Sequence, residues 1–329
     1  VVGNGSGPAR AARDETRTTR ATNHPGALES RTHRGRRGAS SLPRVLVGVT
    51  TGGVLEDLDP SSGSPVRDLA TGATGDEVSV TPDGSSVYFE AAVGCMHEIE
   101  KVLVAGGTPE MVATGSVPAL SPDGSELAYV RQPLENQGPC EGQTVSASSY
   151  TLVVRVLATG VETTYPVSPT LANGRPNPID HVSWSFDGRE LAVSIEGGQG
   201  DDGWQLVVVH PATDDYYFSG SGVSLTGADA SSSYYREGTF MPDGELFVNR
   251  ICCEGPGATV TSTLMLEVDP STGAIVHQVA IGILGNDHTS LDVDPSGHWL
   301  LYLSGNELLV SENGERPNEL ATGFEAAAW

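Results

Sequence analysis

The sequence predicts an all-β chain, a six-bladed β-propeller built of four-stranded blades. Three observations carry that reading. The turn Ser121-Pro122-Asp123-Gly124, followed by the strand-like run Leu127-Ala128-Tyr129-Val130, returns along the chain in recognisable form. A second hairpin signal follows in several of these units. The two ends of the chain also hold complementary pieces of one further unit.

The other copies are Thr81-Pro82-Asp83-Gly84 before Val87-Tyr88-Phe89, and Ser185-Phe186-Asp187-Gly188 before Leu191-Ala192-Val193. They continue with Met241-Pro242-Asp243-Gly244 before Leu246-Phe247-Val248, and Asp294-Pro295-Ser296-Gly297 before Leu300-Leu301-Tyr302. In Pro-Asp-Gly the proline pre-sets φ at the first corner, the aspartate bonds its own backbone ahead, and the glycine takes the left-handed conformation that closes the turn. Short alternating apolar runs on both sides make it a tight hairpin. The second hairpins are Val102-Leu103-Val104 with Gly106-Gly107, Val153-Val154-Arg155-Val156 with Thr159-Gly160, and Leu264–Val268 with Ser271-Thr272-Gly273. Two hairpins make four strands, and four-stranded units repeated radially are propeller blades.

Five such turns open five complete blades. The chain then ends on Phe324-Glu325-Ala326-Ala327-Ala328-Trp329, which matches the approach to an inner strand and stops where Trp184 stands in its own repeat. The runs Arg44–Val49, Val54–Leu58 and Pro65–Leu69 supply second, third and fourth strands with no first. Joining the two ends makes the sixth blade and removes the open edges of an unclosed array. The repeats resemble those of TolB-like propellers, a WD-repeat-like group, with His181-Val182-Ser183-Trp184-Ser185-Phe186-Asp187-Gly188 the nearest single match. The resemblance covers residues 45–329, and such rings serve as scaffolds, binding proteins and enzymes alike.

Residues 1–42 form a separate Arg-rich segment, expected to be disordered, ahead of a propeller spanning 43–329. Through Arg44 there are nine arginines against three acids, leaving nine basic and 39 acidic residues of the 18 and 42 in the chain. A segment so polar buries too little apolar surface to repay its ordering entropy. It reads as an unstructured extension or upstream sequence wrongly taken as coding, or else as a contact for nucleic acid or anionic membrane. The acidic propeller, with Lys101 as its one lysine, argues against nucleic-acid binding. Its charge suits an acid-biased proteome. No apolar run reads as a secretory signal or as a transmembrane helix. The resemblance to TolB-like propellers implies an extracytoplasmic location, periplasmic, cell-surface or secreted, and a monomer is expected.

Two residue sets stand out. Cys95, Cys140, Cys252 and Cys253 all fall in predicted loops between second and third strands, Cys95 with His97 beside it. An even count in loops suits disulfides in an oxidising compartment: Cys95–Cys140 between neighbouring blades, with Cys252–Cys253 vicinal or as two thiols. A metal site of Cys95, His97 and Cys140, or four inert thiols, are the alternatives. The second set surrounds the axis. Glu77, His181 and Glu237 each stand six residues before the turn aspartate, just ahead of the expected inner strand, with Ser290 at the matching position beside Asp287 and His288, and Glu325 near the C-terminus. Equivalent positions on a closed ring converge on the channel mouth. There they would hold one divalent cation (Ca²⁺ or Mn²⁺), a basic ligand or a sugar, or simply line a wet channel.

Long insertions at Gln132–Ser149, Thr170–Ile179 and Ser219–Ser233 enlarge one face, where a rigid ring usually binds. The pairs Tyr216-Tyr217 and Tyr234-Tyr235 flank the last of these, one ring of each pair facing inward and the other outward, where the outward rings form an aromatic recognition patch or pack between blades. No nucleophile elbow, phosphate loop or His-Glu-x-x-His is present. The expected function is therefore a non-catalytic binding propeller that recognises a protein, peptide or carbohydrate through its loop-rich face. The rival comes from the resemblance, since relatives of TolB-like propellers include polysaccharide lyases with a channel-mouth metal and a nearby base. By ring position His181, His288, Glu77 and Glu237 would then be the metal ligands, serving a lyase or hydrolase.

Overall fold

A computed structural model describes residues 41–94, 96–131, 150–165, 167, 178–196, 204–212, 215–218, 233–252, 262–278 and 288–329. The expectations for residues 1–40, for Cys95, Cys140 and Cys253, and for most of the three insertions lie outside these residues. Among the described residues, 24 strands form six four-stranded antiparallel sheets. Blade 1 comprises β1 (Leu46–Thr50), β2 (Val54–Leu58) and β3 (Pro65–Thr71), and takes its inner strand from the end of the chain. Blade 2 comprises β4 (Ala73–Val80), β5 (Ser86–Val93), β6 (Met96–Leu103) and β7 (Glu110–Thr114), and blade 3 comprises β8 (Ser116–Leu120), β9 (Glu126–Arg131), β10 (Thr151–Val156) and β11 (Glu162–Tyr165). Blade 4 has β12 (Ile179–Trp184), β13 (Leu191–Glu196), β14 (Trp204–His210) and β15 (Asp215–Phe218). Blade 5 has β16 (Ser233–Phe240), β17 (Leu246–Cys252), β18 (Ser262–Val268) and β19 (Ile275–Gln278). Blade 6 has β20 (His288–Val293), β21 (Trp299–Ser304), β22 (Glu307–Glu312) and β23 (Asn318–Thr322), and β24 (Phe324–Ala328) then pairs with β1 to close the ring. No described helix is long and apolar enough to cross a membrane.

The turns form for a reason visible in their hydrogen bonds. Thr81, Ser121 and Ser185 each accept, on the side-chain oxygen, the N–H of a residue five positions ahead (Ser86, Glu126, Glu190), at 2.9 Å in each case. Each hydroxyl in turn donates to the turn aspartate, Asp83, Asp123 or Asp187. Asp83 is held down at about 2 by the Thr81 hydroxyl and by the hydroxyl and N–H of Ser85, and Asp123 equally by the N–H and hydroxyl of Ser125 together with the Ser121 hydroxyl. In blade 6 Asp294 stands at the Ser/Thr position and takes the Trp299 N–H at 2.7 Å, so the turn survives without Pro-Asp-Gly.

The hydrophobic core is distributed between neighbouring blades. Tyr88 and Ile99 of blade 2 pack on Leu127, Tyr129 and Val153 of blade 3. Ala192, Leu206 and Val208 of blade 4 pack on Phe240, Leu246 and Val248 of blade 5. Leu46, Leu58 and Phe324 of blade 1 pack on Leu301, Leu303 and Leu308 of blade 6. Tyr235 is buried at the blade 4–5 seam as expected of an inward ring, and burial raises its phenol pKa. Tight seams leave no room at Gly115 (φ 154°), where an added Cβ would lie 2.5 Å from the Val130 carbonyl oxygen and 2.7 Å from the Tyr129 ring. Gly115→Ala is therefore expected to cost about 1–3 kcal/mol, read as a lower urea midpoint at unchanged slope. An unshifted midpoint would show that the seam relaxes.

Two local expectations are corrected. The inner strands start earlier than their sequence pattern indicates, because each carries an irregular step in register. One residue at or near the step takes a left-handed conformation in four blades: Gly75 (φ 88°), Val117 (φ 55°), Glu237 (φ 52°) and Ser290 (φ 54°). Glu77, His181 and Glu237 thus lie inside strands rather than ahead of them. His97 and Cys252 are also strand residues: the turn at Gly94 is tight enough for β6 to start at Met96, and β17 runs on to Cys252, opposite Ser233 and Ser262.

Candidate functional site

Aligning the six inner strands by register sorts the residues around the axis into tiers. One tier holds Glu77, Val117, His181, Glu237, Ser290 and Ala326, and the tier two residues further along holds Ser79, Ala119, Ser183, Thr239, Asp292 and Ala328. The second tier, with side chains on the same face of each strand, surrounds a cavity of about 630 Å³. This cavity extends from the level of Glu77 and His181 to the hairpin turns, where Pro82, Pro122, Phe186 and Pro295 line it together with Ser41–Val45. In this meander the first-to-second and third-to-fourth turns share one face, so the described cavity opens on the turn face, opposite the loop-rich one.

At its inner end an ion pair spans the channel. His181 of blade 4 reaches Glu77 of blade 2, with blade 3 between them, Nδ1 to Oε1 at 2.5 Å. On its other side Nε2 lies 3.3 Å from the Thr239 Oγ1, whose hydroxyl donates to the Leu291 carbonyl at 2.8 Å. Since that hydroxyl proton is committed, Oγ1 can only accept from Nε2–H, and with Nδ1–H on the carboxylate the ring is a doubly protonated imidazolium. Burial by itself pulls its pKa down, but the adjacent Glu77 charge and hydrogen bond, together with the charges of Glu237 and Asp180, outweigh this and hold it at about 9. His181 is 2% exposed. It closes the cavity rather than standing at a channel mouth, and with both nitrogens occupied it presents no lone pair to a metal or a substrate proton.

The remaining sequence candidates do not join it at the cavity wall. Glu237 is buried behind the left-handed step and its N–H donates to Ser194 Oγ at 3.0 Å. Glu325 is the extra residue at the irregular step of β24. His288 opens β20 opposite Ser304, with its side chain outside the described set. Among the described residues no three His, Cys, Asp or Glu side chains converge as metal ligands. His97 pairs instead with Glu90, whose second oxygen accepts the Val117 N–H at 3.2 Å and so ties blade 2 to blade 3.

Asp292 is the residue that single-repeat reading misses. It is enclosed by protein yet reached from the cavity, with Oδ1 on its neighbour's N–H (Val293, 2.8 Å) and Oδ2 on the Trp329 N–H (2.9 Å). Burial, with the charges of Glu77 and Asp294, pushes its carboxyl up to about 6 in spite of those two bonds. Aligning the repeats in columns would have found it, because it is the one charge in a column of Ser, Ala and Thr.

No protein-family model matches the sequence, and neither does any curated protein. Solved structures do match. TolB from Acinetobacter baumannii superposes with a TM-score of 0.58 at 15% identity, over 86% of this chain and 66% of that one. The fold is that of a TolB-like propeller. The chain spans just under two thirds of that TolB's length. The same TolB-like ring is similar to Kuenenia stuttgartiensis hydrazine synthase (TM-score 0.50, 13% identity, 85% of this chain and 79% of that one). It is also similar to an oligogalacturonate lyase from Vibrio parahaemolyticus (TM-score 0.50, 11% identity, 85% and 80%). At such identities the likeness is one of fold.

Proposed function

We propose that this chain is a non-catalytic binding propeller that works outside the cytoplasm, as a monomer, and takes part of a protein, peptide or carbohydrate ligand into the turn-face cavity. The observation that carries this reading is the cavity itself: about 630 Å³, within the range of ligand sites, with Ser79, Ala119, Ser183 and Thr239 on its wall and the Glu77–His181 pair at its inner end. Among the described residues His181 is the histidine that lines it, held as an imidazolium between Glu77 and Thr239, which suits a rigid floor better than a base or a metal ligand. The loop-rich face favoured by the sequence pattern falls mostly outside the described residues.

Ser183→Trp tests the proposal by filling the cavity from a position whose side chain lines it. With the full chain titrated against a panel of short peptides and oligosaccharides, any ligand bound by wild type is expected to lose measurable affinity for Ser183→Trp. The same ligand should bind normally to Val66→Ser, on the exposed outer edge of blade 1. Binding that survives Ser183→Trp would place recognition elsewhere and end this reading.

A further inference from the structure

The register-aligned tier around the cavity is chemically lopsided. Five of its six members are Ser79, Ala119, Ser183, Thr239 and Ala328, neutral and small enough to leave open space, and the sixth is Asp292. The other charges along the cavity are already balanced or occupied. Glu77 is matched by His181, and Asp294 is spent on the Ser296 and Trp299 N–H groups of its own turn. Asp83 is likewise spent on Thr81 and Ser85. Arg44 lies exposed at the cavity's open end, and no ion pair among the described residues joins it to Asp292. Asp292 uses one lone pair of each oxygen on backbone N–H groups, which leaves a carboxylate two further acceptor positions. A carboxylate enclosed by protein without a counter-charge is costly, and an incoming cation relieves that cost. Two aromatic residues, Phe186 and Trp329, are only partly buried and line the same space, and aromatic rings attract cations.

Resting on the channel reading above, we infer that the cavity recognises an organic cation, an alkylammonium or guanidinium group, with Asp292 as its anchoring carboxylate. A group of this kind brings N–H donors for the two open acceptor positions, and its alkyl stem lies along the small and aromatic wall. It is carried either by a free amine or by a basic side chain projecting from a larger ligand.

The experiment uses the full chain and calorimetric titration with agmatine and 1,5-diaminopentane, a Gly-Lys-Gly peptide, the neutral isostere pentane-1,5-diol, and calcium chloride. Wild type is expected to bind the organic cations and not the diol, and Asp292→Asn to bind them about tenfold more weakly or worse, as for the loss of one charge-assisted hydrogen bond. Preference for the free amines over the lysyl peptide, or the reverse, identifies the source of the cation. Ser183→Trp separates the two readings. Organic cations that bind Asp292→Asn as well as wild type but fail on Ser183→Trp would refute the role of Asp292 while leaving the channel as the site. Cations indifferent to both variants would refute the channel too. Calcium binding that displaces the amines and depends on Asp292, or no organic cation binding at all, would overturn the inference directly.

Discussion

Replacing His181 with alanine is expected to destabilise the ring by about 3–5 kcal/mol, because it leaves Glu77 at the channel floor without its counter-charge. That amounts to a fall in melting temperature of roughly 10 °C for a chain of this size. The loss should be coupled: with Glu77→Gln already in place, His181→Gln costs far less than it does alone. The dependence on pH has a definite sign. A histidine whose pKa is about 9 in the fold and about 6.5 unfolded contributes its full stability below about pH 6.5, and the contribution is lost as pH rises through about 9. The gap between wild type and His181→Ala should therefore narrow on the alkaline side. Asp292 tilts the curve the same way. Its carboxyl, raised from 3.8 to about 6, favours the fold while protonated, so stability falls as pH climbs from about 4 to 6, and Asp292→Asn should remove that slope. A His181→Ala protein as stable as wild type at neutral pH would mean that the pair contributes no net stability.

The second large effect concerns closure. A chain ending at Gly323 lacks β24, whose Phe324, Ala326, Ala327 and Ala328 are all at most 4% exposed and pack on both flanking seams. Its removal exposes the hydrogen-bonding edge of β1 and opens the contact with blade 6. The expected result is loss of a single cooperative melt together with association through the freed edge, seen by calorimetry and by size-exclusion chromatography with light scattering. A truncated chain that melts within about 3 °C of the intact one, as a monomer, would show that three strands suffice for blade 1.

The fold was legible because its signals are local and repeated. Each of the turns opened by Thr81, Ser121 and Ser185 is stabilised by a bond that spans five positions, and the missing strand at one end of the chain is the surplus strand at the other. The site was only partly legible. Glu77 and His181 are indeed drawn together, yet the irregular steps move them from the channel mouth to the floor of a cavity, and a step in register leaves little trace in a hydropathy pattern. Glu237 shares their spacing but sits on a residue with φ 52°, which turns it away from the cavity lining. Asp292 was overlooked since it resembles nothing within its own repeat; it shows only against the five small residues of the other blades. His97 looked like a loop residue beside a cysteine because Gly94 makes the turn shorter than the sequence spacing suggests.

A ring of six similar blades offers a ligand on its axis six nearly equivalent rotational settings. With one carboxylate in a tier otherwise neutral, those settings are no longer degenerate, and a group bound to Asp292 has a single azimuth. Selecting one orientation of six is worth about RT ln 6, roughly 1 kcal/mol, a small energy that nevertheless decides which blade and which of its hairpin turns the rest of the ligand meets.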